Sequence, residues 1–397
     1  MARRLGCALL AAMLTLSLVN AGISAHAQRP VRPTLAPAPV PDVAAARAAH
    51  LRRGINLSHW FAQSPGRDYS AAHLQMHTTA QDLALIKSLG FDHVRFTVEP
   101  APLFDDGAPA QLNPEYLRQL DAALDMLLAS GLSVIFDLHP TDEFKLRLRT
   151  DDHFVAAFTA FWRALAEHLA VRDPEHLFLE ILNEPMVDDP YRWLGIQTRV
   201  AAAIRAAAPH HTIIASGARW SSIDQLLLLE PLADRNVIYN FHFYDPHTFT
   251  HQGATWGAEF WPYIKQVPYP SSPEAVAALL STVEQPSAQT ALQTYGAEHW
   301  DAARMEQAIS LAAEWARAHG VPLTCNEFGT YRAYAPTADR ARWIADVRTT
   351  LERHGIGWAM WDYAGGFAVV VKRDGRATPD PQTVTALGLK SLPPQGR

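Results

Sequence analysis

Eight polar or aromatic residues sit within or just past short apolar runs, and their types suit one chemistry. They are Arg95, His139, Asn183, Glu184, His242, Tyr244, Glu327 and Trp361. The clearest case is FLEILNEPMVDD (178–189), where a run of Phe, Leu and Ile turns at once into Asn183-Glu184-Pro185. An amide and a carboxylate at the mouth of an apolar strand are costly to desolvate, so they need a purpose. Glu327 ends a second run in the same way. Two carboxylates are the minimum for cleaving a glycosidic bond: one donates a proton to the leaving oxygen, the other attacks the anomeric carbon as an anion. That division of labour requires two different environments. Arg95 and the Tyr244 hydroxyl are suited to holding one carboxylate anionic. Asn183 suits a sugar 2-hydroxyl, and Trp361 offers a flat apolar face for a pyranose ring.

Eight elements must position these groups. Candidate strands run over 53–58, 92–98, 133–139, 177–183, 212–216, 236–242, 321–327 and 356–361. Helical periodicity fills the intervals. AQDLALIKSLG places Leu83, Ile86 and Leu89 on one face and stops at Gly90; another segment opens at Pro114 and closes at Gly131. Strand–helix units in series imply a parallel sheet, and eight of them imply a closed (β/α)8 TIM barrel of the α/β class, as a single domain. An open doubly wound sheet is the alternative; no glycine-rich dinucleotide turn follows any strand. Active sites of such barrels lie at the C-terminal strand ends, where all eight residues would face one mouth. More than seventy residues separate Tyr244 from Val321. This implies a long elaborated loop after the sixth strand, dense in aromatics (Trp256, Phe260, Trp261, Tyr263, Tyr269).

Composition sets the frame. The chain has 397 residues, 48% hydrophobic and 19% charged, which is a globular balance. Residues 1–27 combine a basic start, an apolar run and Ala25-His26-Ala27, the pattern of a secretory signal peptide cleaved near Ala27. Removing its two arginines takes the formal charge from −6 to −8. No basic patch suggests nucleic acid. Residues 28–50, rich in Pro and Ala, read as a linker; 51–392 form the catalytic barrel and 393–397 a flexible tail. Cys7 leaves with the signal, so Cys325 stands alone. Strand alternation points it the same way as Glu327 but deeper, as barrel filling.

The motifs RGINLSHW, VRFTV, DLH, LEILNEP, NFHFY, CNEFG and AMWDY, in this order over residues 52–361, resemble glycoside hydrolase family five, the cellulase-like retaining barrels. The resemblance implies Glu184 as acid/base and Glu327 as nucleophile, with carboxyls about 5–5.5 Å apart. It implies supporting roles for Arg95, His139, Asn183, His242, Tyr244 and Trp361. His59, Trp60, Trp256 and Trp261 are candidates for outer subsites. The implied activity is endo-hydrolysis of a β-linked polysaccharide, foremost β-1,4-glucan, by double displacement. Mannan, exo-action on β-glucan, or a bacterial exopolysaccharide are alternatives, as is a silent carbohydrate-binding barrel. No cofactor and no metal are expected; His242, His247 and His251 fit no short zinc spacing. The partner is a poly- or oligosaccharide, with no nucleic acid and no stable membrane insertion after signal cleavage. The expected protein is a monomer, secreted or periplasmic.

Overall fold

The computed structural model describes residues 42–391. The expected signal segment 1–27, most of the linker and the tail 393–397 lie outside the described residues. Eight parallel strands close into a barrel in sequence order: β1 (Arg53–Asn56), β2 (His93–Val98), β3 (Ser133–Leu138), β4 (Leu177–Glu180), β5 (Thr212–Ser216), β6 (Val237–Phe243), β7 (Leu323–Phe328) and β8 (Gly357–Met360). β8 pairs back onto β1, with Arg53 opposite Trp358. Every strand expected from the sequence is present. The largest difference in extent is at β4, whose regular ladder ends at Glu180. The chain nevertheless stays tethered beyond it: Ile181 N–H donates to Ile214 and Asn183 N–H to Leu138.

Helices alternate with the strands, among them Ala80–Leu89, Pro114–Ala129, Asp152–Leu169, Pro190–Ala207, Ala302–His319 and Thr337–Arg353. Their starts are chemically marked. Thr79 and Asp82 form a reciprocal capping box at the first of them, and Asn113 caps the second ahead of Pro114. Each buries an apolar stripe against the barrel, such as Phe154, Phe158, Phe161, Trp162 and Leu165 on one helix. No described helix is long and apolar enough to cross a membrane.

Three features depart from the sequence reading. The Pro/Ala-rich segment does not stay extended to residue 50. Val43–Ala48 forms a helix, α1, capped by Asp42 and tied down by Arg47, which pairs with Glu175 at 2.6 Å. Ala44 of α1 and Leu51 pack with Ile135, Phe178, Ile214 and Ile238, closing the N-terminal end of the barrel. The segment after β6 is not a bare loop either. It holds helices Pro273–Leu280 and Pro286–Glu298, and Tyr269 fastens it to the body through Asp346 at 2.8 Å. Lastly, an antiparallel ribbon (Val370–Arg373 with Arg376–Pro379) follows β8.

Candidate active site

Arg95 organises the site. It points inward from β2, fully buried, and its guanidinium meets several groups at once. Glu180 grips it bidentately, Nε to Oε2 and Nη2 to Oε1, both at 2.9 Å. Nη1 donates to Glu327 Oε1 at 2.5 Å and to Asn56 Oδ1 at 3.0 Å. Nη2 also donates to Asn183 Oδ1 at 2.9 Å and lies 3.1 Å from Asp137 Oδ2. Glu180 in turn accepts from the Asn240 and Asn326 amides at 3.2 and 2.9 Å. Burial of a bidentate pair is tolerated because the remaining lone pairs are satisfied. Burial pushes the Asp137 carboxyl up to about 6 and raises Glu180, against the pull of Arg95. Burial would lower Arg95, but Asp137, Glu180 and Glu327 outweigh it and hold the cation well above its ordinary range.

Glu327 reaches this cluster through an irregularity. Phe241 pairs with Cys325 and His242 with Glu327, so β7 carries one extra residue at Asn326. Asn326 faces inward to Glu180, and the bulge turns Glu327 inward as well. Cys325, opposite outward-facing Phe241, therefore points to the helical layer and not into the barrel; simple alternation fails at a bulge. Glu327 Oε2 accepts from the Tyr244 hydroxyl at 2.8 Å. Burial, then the charge of Glu327, raises the Tyr244 phenol well above its usual range, so it stays a donor.

Glu184 stands opposite, just beyond β4, with a left-handed backbone at φ 46°. A non-glycine residue held there stores strain of about 1–3 kcal/mol, the kind found where a side chain must be aimed. His242 Nδ1 lies 2.9 Å from Glu184 Oε1 and 3.6 Å from Glu327 Oε2. Burial pushes His242 down to about 4, so the ring between the acids is neutral. Carboxylate oxygens of the two glutamates lie within 4.8 Å of one another. Their settings differ: the Glu327 side chain is 5% exposed and Glu184 23%. Asn183 bridges Arg95 and His139, and the His139 ring stacks on Trp361 at 5.4 Å.

The outer candidates divide. His59 is half-exposed at the mouth, its ring 2.6 Å from Ser58 Oγ, which donates to buried Asp362. Trp60 is not at the mouth. It is 1% exposed, packs on Phe61 and Phe96, and its indole donates to Leu74. Trp261 stacks on His251 at 4.5 Å and on His247, while Trp256 is exposed with its edge to Tyr331. His242 does not join His247 and His251; among the described residues, the potential ligand atoms that come together are those of Glu184, His242 and Glu327. The sequence reading missed Trp220, exposed after β5, whose backbone N–H donates to Pro185 beside Glu184. It lies in a run of three left-handed residues, Arg219 to Ser221, which carries no periodic signal.

Known proteins resemble this chain in sequence and fold. Endoglucanase C of Acetivibrio thermocellus is 28% identical over 318 residues, covering 79% of this chain and 91% of the relative. The solved structure of Thermotoga maritima Cel5A in complex with cellobiose superposes with a TM-score of 0.69 at 26% identity, covering 86% of this chain and 99% of that one. The same protein in complex with mannotriose gives 0.69 at 25% identity, with the same coverage. The model of the cellulase family, glycosyl hydrolase family 5, matches residues 54–366. A closed eight-stranded barrel, and a family match over most of its length, make this chain a glycoside hydrolase of family 5.

Proposed function

We propose that this protein is an endo-acting β-1,4-glucanase that hydrolyses with retention, Glu327 serving as nucleophile and Glu184 as acid/base. The observation that carries this reading is the asymmetric bracing of a close carboxylate pair. Glu327 receives Arg95 on one oxygen and Tyr244 on the other, so its lone pairs are aligned and its charge is favoured. Among the described residues the Glu184 carboxylate hydrogen-bonds only to neutral His242, and it is partly open to solvent, as a group exchanging protons with water must be. Carboxylate oxygens within 4.8 Å of one another fit the close spacing of a retaining pair better than the roughly 6.5–9.5 Å of an inverting one, which must hold a water.

In the first step Glu327 attacks the anomeric carbon while Glu184 protonates the departing oxygen, and the aglycone leaves. In the second, Glu184 takes a proton from water, which displaces Glu327 and returns the anomeric configuration to its start. Trp361 supplies the face for the reacting sugar, and Asn183 directs an amide N–H to its 2-hydroxyl. Trp220, whose backbone is tied to Pro185 beside Glu184, is assigned to sugars near the cleaved bond, and Trp256 and His59 to outer ones. The names of the relatives supply the substrate: one is an endoglucanase, another a structure holding cellobiose. A second reading, activity on β-mannan as well, is favoured by the mannotriose complex.

Glu184→Gln and Glu327→Gln are each expected to lower kcat on soluble β-1,4-glucan by roughly 100- to 10,000-fold. Proton NMR of the first products should show the β-anomer. Initial α-product, or near-native turnover by either variant on every substrate cleaved, would sink the mechanism. We also propose export through a signal segment cleaved near Ala27, which N-terminal sequencing of the exported protein would test.

A further inference from the structure

Four buried side chains in the site close a ring of three hydrogen bonds and one ion pair, and one of them, Asp137, belongs to no part of the proposed mechanism. Arg95 Nη2 meets Asn183 Oδ1 at 2.9 Å, Asn183 Nδ2 meets His139 Nε2 at 3.1 Å, and His139 Nδ1 meets Asp137 Oδ2 at 3.0 Å. Asp137 Oδ2 returns to Arg95 Nη2 at 3.1 Å. The direction of every bond follows from the first. A guanidinium only donates, so Asn183 must turn its oxygen to Arg95 and its NH2 to His139. His139 Nε2 must then be bare, its one proton sits on Nδ1, and Asp137 must accept it. Burial drives His139 well below its ordinary range, in keeping with a neutral ring.

We propose that Asp137 is a positioning residue for substrate recognition. By holding the proton of His139 on Nδ1, it locks the Asn183 amide so that its second N–H faces the sugar. The inference rests on the retaining-glycosidase reading given above. Were Asp137 Oδ2 removed, His139 would be free to carry its proton on Nε2. Two N–H groups would then oppose each other at Asn183, and the amide would turn or shift to avoid the clash. The amide that meets the 2-hydroxyl would lose its orientation, although Asn183 itself is unchanged. What matters is an acceptor at the Oδ2 position. Asp137 Oδ1 is buried and has no hydrogen-bond partner among the described residues, so the second atom of the group makes no part of the ring. An asparagine placed with its oxygen at the Oδ2 position would keep the three hydrogen bonds and give up only the charge facing Arg95.

The test compares 4-nitrophenyl β-cellobioside with its analogue lacking the 2-hydroxyl on the glucose next to the aglycone. The ratio of kcat/KM between the two reads the 2-hydroxyl contact alone. Asp137→Asn should keep the ratio within about threefold of the native enzyme, while Asp137→Ala should shrink it at least about tenfold, the effect falling on kcat more than KM. A purely structural role would lower both substrates together and leave the ratio alone. A folded Asp137→Ala with the native ratio overturns the proposal. Nitrogen-15 NMR of His139 in the native protein, assigned by its loss in His139→Gln, covers the case in which the alanine variant does not fold. The expected result at pH 7 is a neutral ring protonated on Nδ1; protonation on Nε2 overturns the proposal. If the native enzyme cleaves neither glycoside, the proposed activity fails, while the NMR measurement still tests the Nδ1 tautomer on which the role of Asp137 rests.

Discussion

The two halves of the barrel interior are built from the same strands, two residues apart. Near the N-terminal end, Ile135, Phe178, Ile214 and Ile238 pack dry beneath α1. One inward step further along, their places are taken by Asp137, Glu180, Ser216 and Asn240, all buried. The lower layer is an ordinary apolar core. The upper layer is an ionic lattice around Arg95, with three carboxylates against one guanidinium. The lower layer stabilises through area removed from water and asks little of its geometry. The upper layer trades stability for aim, because buried charges are retained only when every partner is in place. A barrel interior is thus divided by height into a part that holds and a part that acts.

Substitutions at matched positions test that division. Arg95→Met should show the largest effect. It strips the cation from Glu180, Asp137 and Glu327, costing about 3–5 kcal/mol in denaturant unfolding, and abolishes measurable turnover. Phe178→Ala should cost a similar 3–5 kcal/mol, yet leave kcat of the folded fraction close to native. If Phe178→Ala lowered kcat as Arg95→Met does, the layers would not be separable. Tyr244→Phe sits at the upper rim and removes one hydrogen bond to a charged group, worth about 1.5–3 kcal/mol. It should reduce kcat roughly 10- to 100-fold with little change in unfolding midpoint, because the phenol sits at the mouth and packs no lower-layer residue.

The same division explains what the sequence disclosed. Strand ends were legible, because an apolar run that turns polar at its last residue marks a mouth. Arg95, His139, Asn183, Glu184, His242, Tyr244, Glu327 and Trp361 do come together around one cluster. The polar layer just beneath was not legible. Glu180 inside FLEIL, or Asn240 inside VIYNFHF, has no partner until the sheet closes and brings β4, β6 and β7 around Arg95. Cys325 was misplaced because a bulge leaves no mark in the residue pattern. Trp60 was misplaced because it follows His59, and the left-handed turn at His59 sends the indole into the core. Trp220 lies in an irregular loop, where periodicity has nothing to report.

The smallest expected effect separates charge from geometry in the upper layer. Burial raises Asp137 to about 6 from an ordinary 3.8. Below about pH 4 the folded and unfolded chains both hold this proton. Between about 4 and 6 only the folded chain does, so stability falls as pH rises through that window and stays lower above it. Asp137→Asn cannot ionise and should lack this loss. Relative to the native protein it should be equally stable near pH 4 and more stable at pH 7, by on the order of 1–3 kcal/mol. Urea unfolding at the two pH values measures the difference between the chains, in which the titration of groups remote from Asp137 cancels. A variant that gains stability at pH 7 while keeping its discrimination of the 2-hydroxyl would place the cost of the upper layer in its charge and its function in its acceptor geometry. A variant no more stable at pH 7 than at pH 4, relative to native, would mean that Arg95 already compensates the Asp137 charge in full.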